Sequence, residues 1–290
     1  MNQQQITIVG ATSGPGKSLF LKLAALGRPV LGIGRSQTKV AELRALTKDT
    51  RAEIIAMDVA LDQSFLSSTD ILIHCSQPNL VKHLLSSNLD RFIGLGSTRK
   101  FTRFPDQKCI DVTEMERIVM SSGVDATVLH PTLIYGADGL NNVERIANTA
   151  RRSPIIPLPA KGLSLIQPIH CEDVVDSIIN CIDNRLINKS IVIAGPSPIT
   201  YRHFVQTVID AAGLSSRIVS LPHFAIASIA QLTTLIPAVP TISTSEVKRL
   251  LEDKHFDTVE MNRDLGIKPR SFETGMGQYS DDLKQKVYSA

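Results

Sequence analysis

The stretch TIVGATSGPGKSLFLKLA, residues 7–24, decides the fold. The apolar run ITIVG (6–10) predicts a buried strand that ends at Val9. The pattern from Lys17 to Leu26 predicts a helix that starts near Gly16. A glycine turn joins them. Gly10 permits the tight turn out of the strand. Gly14 and Gly16 remove side chains where a pyrophosphate would approach the backbone, and the N–H groups at the helix start then face the anion. Gly16 also lets the helix pack closely on the strand. Two other readings stand beside this one. The trailing Gly16-Lys17-Ser18 suggests a P-loop, G-x-x-x-x-G-K-[ST], but here one more residue separates Gly10 from Gly16. A structural turn with no ligand is the second. The context, a strand before and a helix after, favours dinucleotide binding.

Working outward, apolar runs alternate with helical patterns. PVLGIG (29–34), AEIIAMDV (52–59), ILIHCS (71–76), RFIGLGS (91–97) and ATVLHP (126–131) read as further strands. Helices are expected over Thr38–Leu46 and about Thr113–Ser121. Strands alternating with helices imply right-handed crossovers and a parallel sheet, so the fold class is α/β, a doubly wound parallel sheet of the Rossmann type. Beyond Gly136 the pattern loosens. A helix near Asn142–Arg151, a Pro-rich loop (SPIIPLPAKG), the run SLIQPIH (164–170), a helix Cys171–Ile182 and the strand SIVIAG (190–195) precede a mostly helical remainder. This predicts a cofactor domain over 1–136, with returning segments near 164–195, and a smaller, mostly helical substrate domain over 137–290 interleaved with it.

Composition narrows the class. The chain has 290 residues, 43% hydrophobic and 20% charged, with a net charge of +3. That length and balance can bury a full core without disulfides or metal. The charge is too weak and too mixed to point to nucleic acid. The four cysteines, Cys75, Cys109, Cys171 and Cys181, lack metal-ligand spacing, so buried thiols in a reducing compartment are expected, with no metal site. No basic segment followed by an apolar core opens the sequence, which predicts a cytoplasmic location. The uncharged stretch Phe224–Val239 is short for a membrane span and holds Pro237; a buried helix or an apolar lid over the substrate is expected there. Such a lid would suit a quinone or an isoprenoid.

The end of the second strand chooses the cofactor. An acid there would bind the ribose hydroxyls of NAD and repel a 2′-phosphate. Here the strand ends Gly34-Arg35-Ser36, and Arg35 can pair with a phosphate and stack on adenine, so NADP(H) is favoured over NAD(H).

These residues resemble the short-chain dehydrogenase/reductase superfamily, in its extended or atypical branch of epimerase/dehydratase-like proteins. The markers are Gly10-Ala11-Thr12-Ser13-Gly14-Pro15-Gly16, Asp58-Val59 closing strand three, Cys75-Ser76-Gln77 after strand four, and Ser97-Thr98 after strand five. His130-Pro131-Thr132-Leu133-Ile134-Tyr135-Gly136 is similar to the segment R-P-x-x-x-Y-G, with His in place of Arg. Gln167–Val174 is similar to the segment I-H-V-x-D-V, and Leu265–Pro269 to the terminal L-G-x-x-P. The resemblance implies that Gly10, Thr12, Ser13, Gly14, Pro15, Gly16, Arg35, Ser36, Asp58, Val59, Cys75, Ser76, Gln77, His130, Pro131 and Leu133 meet the cofactor.

One part of the resemblance fails. Members of the family use a Tyr and a Lys four residues later, on the helix after strand five. None of the tyrosines lies between Ser97 and Asp125, and alignment on Glu116 sets Lys108 and Val112 at the two positions. Two readings follow. An oxidoreductase or epimerase-like enzyme, acting on a sugar nucleotide or another small carbonyl or hydroxyl compound, would rely on Ser97, Thr98, Lys100, Lys108 or Tyr135. A non-catalytic NADP(H)-binding sensor, regulator or assembly factor would need none of them. Either form leaves room for an oligomer.

Overall fold

The computed structural model describes residues 4–47, 51–221, 249 and 251–289. The apolar stretch Phe224–Val239, expected as a helix or lid, lies outside the described residues.

Seven parallel strands form the main sheet. In chain order they are β1 (Ile6–Val9), β2 (Val30–Gly34), β3 (Ala52–Ala56), β4 (Ile71–His74), β5 (Arg91–Leu95), β6 (Asp125–Pro131) and, much later, β11 (Lys189–Ile193). Their order across the sheet is β11-β6-β5-β4-β1-β2-β3. The order reverses direction between β1 and β4, which are paired Ile6 to Ile71 through Val9 to His74. Open α/β sheets bind ligands outside the carboxyl ends of their strands at such a switch point.

The helices α1 (Gly14–Ala25), α2 (Gln37–Leu46), α3 (Gln107–Met120) and α5 (Cys171–Asp183) flank this sheet. One core joins Leu19, Phe20 and Leu23 of α1 with Val174, Val175 and Ile178 of α5 and the strands beneath them. A second covers the other face, where Phe92 and Val128 meet Met115 and Val119 of α3. The strands are apolar on both sides for this reason.

The remaining strands and α-helices lie outside this sheet. They are β7 (Ile134–Tyr135), α4 (Asn141–Arg152), β8 (Ile155–Pro159), β9 (Leu165–Ile166), β10 (Ile169–His170), β12 (Ile199–Thr200), α6 (Tyr201–Ala211), β13 (Arg217–Leu221) and the terminal helix α7 (Phe272–Ser289). The strands among them pair two by two: β7 with β10, β8 with β13, and β9 with β12. Helices α4, α6 and α7 enclose a third core around Tyr135, Phe204, Phe272 and Leu283.

Several expected bounds differ from those observed; the Pro-rich loop holds the strand β8, and three other differences have a local cause. The run 164–170 is two short strands, because Gln167 and Pro168 break it. The Gln167 side chain instead donates to the Gly195 carbonyl at 2.7 Å and accepts from the Phe256 amide at 2.8 Å. Strand β3 stops at Ala56, and Asp58 closes a turn by accepting from the Ala60 amide at 3.0 Å. Helix α3 starts at Gln107, six residues before the expected Thr113, since Asp106 caps it by accepting from the Cys109 amide at 3.1 Å. Among the described residues, no helix is long and apolar enough to cross a membrane.

Candidate functional site

The strand ends carry the expected residues to one edge. The glycine loop follows β1, Arg35 and Ser36 follow β2, Asp58 and Val59 lie just beyond β3, Cys75–Gln77 follow β4, Ser97 and Thr98 lie just beyond β5, and His130 and Pro131 end β6. Leu133 lies between β6 and β7. All of these are at the carboxyl edge of the sheet, around the switch point.

The glycine loop is built as its spacing requires. Gly10 has φ +91°, and a Cβ there would lie 2.9 Å from the Cys75 carbonyl. A Cβ on Gly16 would lie 2.2 Å from the Gly10 carbonyl oxygen. Only glycines allow β1, α1 and the end of β4 to converge this closely. Ser13 is the N-cap of α1 and makes no side-chain capping bond, and Pro15 occupies the first turn, where its missing N–H costs nothing. The positive end of α1 thus faces the carboxyl edge, and the cradle fits a pyrophosphate.

The loop is braced by groups that sequence reasoning missed. The Gly14 amide donates to the Asp138 carbonyl at 2.9 Å, and the Asp138 carboxylate sits between Lys17 at 3.0 Å and Lys286 of α7 at 2.6 Å. Both lysines hold the Asp138 carboxyl below the usual range, Lys286 by the larger hydrogen bond. Lys17 is therefore engaged with a carboxylate. These partners are 121 and more residues apart, which is why no local pattern announced them.

At the end of β2, Arg35 is exposed, and among the described residues it has no ion-pair partner. Ser36 caps α2 by accepting from the Lys39 amide at 3.4 Å. At the end of β4, burial and the neighbouring Cys171 push the Cys75 thiol up to about 12, so it stays neutral at physiological pH. His74, beneath it, bonds the Gln77 carbonyl at 3.0 Å.

Around Ser97 and Thr98 the side chains are engaged locally. The Ser97 hydroxyl accepts from the Arg99 amide at 3.1 Å, and the Thr98 hydroxyl donates to the Pro131 carbonyl at 3.3 Å. The Ser97 amide donates to Nδ1 of His130 at 3.3 Å. Lys100 is held by both oxygens of Glu116, at 2.7 and 2.6 Å, with Nε2 of His130 at 3.4 Å. Its ammonium therefore packs against α3. Lys108 is exposed on α3, whereas Val112 is buried.

Tyr135 was expected to reach in from the strand end; the structure turns it the other way. It is 1% exposed, its hydroxyl lies 3.4 Å from the Ser271 carbonyl, and its ring packs edge-on against His170 and Phe272. Burial, and then the charge of Asp173, pushes its phenol up. The side chain follows the third core because Gly275 of α7 leaves room for it.

The segment after residue 249 packs against the loop that follows β5. Glu252 accepts from the Thr102 hydroxyl and the Arg103 amide, each at 2.6 Å, and Arg249 pairs with Asp106 at 3.4 Å. Lys254 donates to the Arg249 carbonyl at 2.6 Å. Burial, reinforced by Arg249 and Arg99 and opposed by Glu252, holds the Lys254 ammonium below its usual range. Its setting is made by burial, by its neighbours Arg249 and Glu252, and by the distant Arg99.

The fold is shared with proteins of known structure. The UDP-glucuronic acid 4-epimerase of Bacillus cereus, solved with UDP-glucuronic acid and NAD, superposes with a TM-score of 0.72 over 98% of this chain and 100% of that one, at 14% identity. The chain has the fold of the NAD-dependent sugar-nucleotide epimerases and dehydratases. The UDP-glucose 4-epimerase of Thermotoga maritima gives 0.71 over 98% and 100%, at 14% identity. The dTDP-glucose 4,6-dehydratase of Bacillus anthracis, in complex with NAD, gives 0.71 over 98% and 97%, at 10% identity. No model of a protein family matches the chain. In sequence, the chloroplast stem-loop binding protein of 41 kDa b of Arabidopsis thaliana is 28% identical over 102 residues, 34% of this chain and 27% of that protein. The match spans about a quarter of that relative's length.

Proposed function

We propose that this protein binds NADP(H) along the carboxyl edge of its sheet and acts as an oxidoreductase or epimerase-like enzyme on a sugar nucleotide or another small carbonyl or hydroxyl compound. The observation that carries the reading is the glycine cradle, where a Cβ on Gly16 would lie 2.2 Å from the Gly10 carbonyl oxygen at the switch point of the sheet. When bound, the cofactor supplies a hydride donor or acceptor. Exposed Arg35, with no acid at the end of β2, supports the 2′-phosphate form. Residues 1–136 with the segments near 164–195 are assigned to the cofactor, and the remainder of 137–290 to the substrate, in a cytoplasmic setting. The resemblance to sugar-nucleotide enzymes supports the substrate class.

The candidates for proton transfer are Ser97, Thr98, Lys100 and Lys254; Tyr135 is in the core. The absence of tyrosine from α3 favours a second reading, a non-catalytic NADP(H)-binding protein. The name of the stem-loop binding relative supports that reading too, with a nucleic-acid partner in place of a substrate.

Titration of NADPH and NADH, with thermal shift, tests the cofactor. NADPH is expected to bind more tightly, and Arg35→Asp to weaken it by about tenfold or more, the loss of a charge-assisted pair. Equal affinity for both forms, unchanged in Arg35→Asp, would remove the NADP(H) preference. A screen of UDP and dTDP sugars with NADPH then separates the two readings. A melting shift and turnover that fall in Lys254→Met or Ser97→Ala support the enzyme, and silence with every sugar supports the binding protein.

A further inference from the structure

The opposite edge of the sheet carries a cleft that the cofactor reading does not use. Its floor is the start of the strands: Ile6 opens β1, Pro29 precedes β2, Ile71 opens β4 and Ile182 closes the facing end of α5. Three arginines line it, Arg28, Arg91 and Arg185, against one carboxylate, Asp183. The cleft measures about 400 Å³, within the range of small-ligand sites.

Each arginine has a different share of partners. Arg28 pairs with Asp183 at 2.7 Å. Arg91 is 2% exposed; its Nη1 donates to the carbonyls of Ile182 at 3.0 Å and Cys181 at 3.4 Å, while its Nε is buried with no hydrogen-bond partner. Arg185 stands in the left-handed region at φ +47°, exposed, with no ion pair among the described residues. Burial and then the charge of Arg185 push the Arg91 guanidinium below its usual range, although Asp90 and Asp125 act in the other direction. A buried guanidinium facing a like charge is unfavourable unless an anion compensates both. The negative end of α5 would ordinarily repel an anion here, but Arg91 already caps two of its carbonyls.

We propose that this amino edge is a second anion site, in which Arg28, Arg91 and Arg185 hold the phosphoryl group of a small phosphate monoester. Guanidinium forks match phosphate oxygens, which accept more than one N–H each. The apolar floor of Ile6, Pro29, Ile71 and Ile182 takes the body of the ligand, and the cleft has space for a sugar phosphate rather than inorganic phosphate alone. The site is independent of the cofactor, from which the length of the strands separates it.

Isothermal titration of the full chain with ribose 5-phosphate and glucose 6-phosphate, each with and without saturating NADPH, tests this. Binding is expected for at least one, unchanged by NADPH, and absent for free ribose and glucose. Arg185→Asp, an exposed change, is expected to weaken it about tenfold or more while NADPH affinity stays constant. Asp183→Asn is expected to strengthen it, since it removes the one acid of the cleft. Competition by NADPH would assign the phosphate to the carboxyl edge and overturn the proposal. So would binding that neither variant alters, or no binding by either ester; the NADPH arm shows separately whether the cofactor reading stands.

Discussion

At the scale of single residues, the His130 substitution organises the wall beside Ser97. A Cβ on Gly96 would lie 2.5 Å from Nδ1 of His130, so the imidazole packs directly against the end of β5. Nδ1 accepts from the Ser97 amide, so Nε2 carries the proton and faces Glu116 at 3.5 Å. Glu116 also accepts from Ser190 at 2.5 Å and from Lys100. Burial raises the Glu116 carboxyl, but the bonds from Lys100 and Ser190 outweigh it and leave the group below its usual range. The ion pair is only 17% and 18% exposed, so a lone partner would be poorly solvated. Glu116→Gln is expected to destabilise the fold by about 2–4 kcal/mol, as removal of one member of a mostly buried pair does. Adding Lys100→Met should recover a large part of that loss. Urea unfolding of the single and double variants measures both, and losses that simply add would show that the pair is not coupled.

At the scale of elements, the decisive contact is α1 on β1. Gly16→Ala places a methyl group 2.2 Å from backbone, where no side chain can give way, so α1 must move off the strand. The expected cost is about 2–4 kcal/mol, the range of strained or overpacked sites, together with loss of NADPH binding. Gly277→Ala, in open space inside α7, should leave stability unchanged or raise it by about 1 kcal/mol and serves as the control. Thermal unfolding with and without NADPH checks both, and native-like stability and binding in Gly16→Ala would refute the close packing. The parallel sheet and this loop were legible because each is written in consecutive residues, an apolar run and then glycines. The start of α3 was not, since its signal is the cap at Asp106, ahead of the apolar residues. Nor was the inward turn of Tyr135, which depends on Gly275 far along the chain. The clamp of Lys17 and Lys286 on Asp138, and the pairing of Glu252 with residues 102 and 103, are likewise contacts between distant segments. Sequence pattern locates the strand ends, and so the cofactor edge, but it does not say which side chains there are already occupied.

At the scale of the whole molecule, three buried histidines tie stability to pH. Burial lowers His74, His130 and His170 each to about 4, aided at His130 by Lys100 and at His170 by Arg270. They lie in β4, β6 and β10, so their protonation strains separate parts of the fold. In the unfolded chain each titrates near 6.5. Between roughly pH 6.5 and 4 the unfolded state therefore holds more protons than the folded one. Stability is fully present above that window and falls as the pH drops through it. Each histidine contributes a slope of about 1 kcal/mol per pH unit within the window. Carboxylates held low by partners, such as Asp106 bonded to Arg99, add to the loss only nearer their own unfolded range. Urea unfolding at intervals from pH 7.5 to 4.5 is expected to show a steep decline below about pH 6.5. His74→Gln, which keeps a donor for the Gln77 carbonyl and removes the titration, should make that decline shallower by about one histidine's share. A flat profile down to pH 5 would mean that the imidazoles take up protons without unfolding, and that the interior around them is far more accessible to water than their burial in β4, β6 and β10 implies.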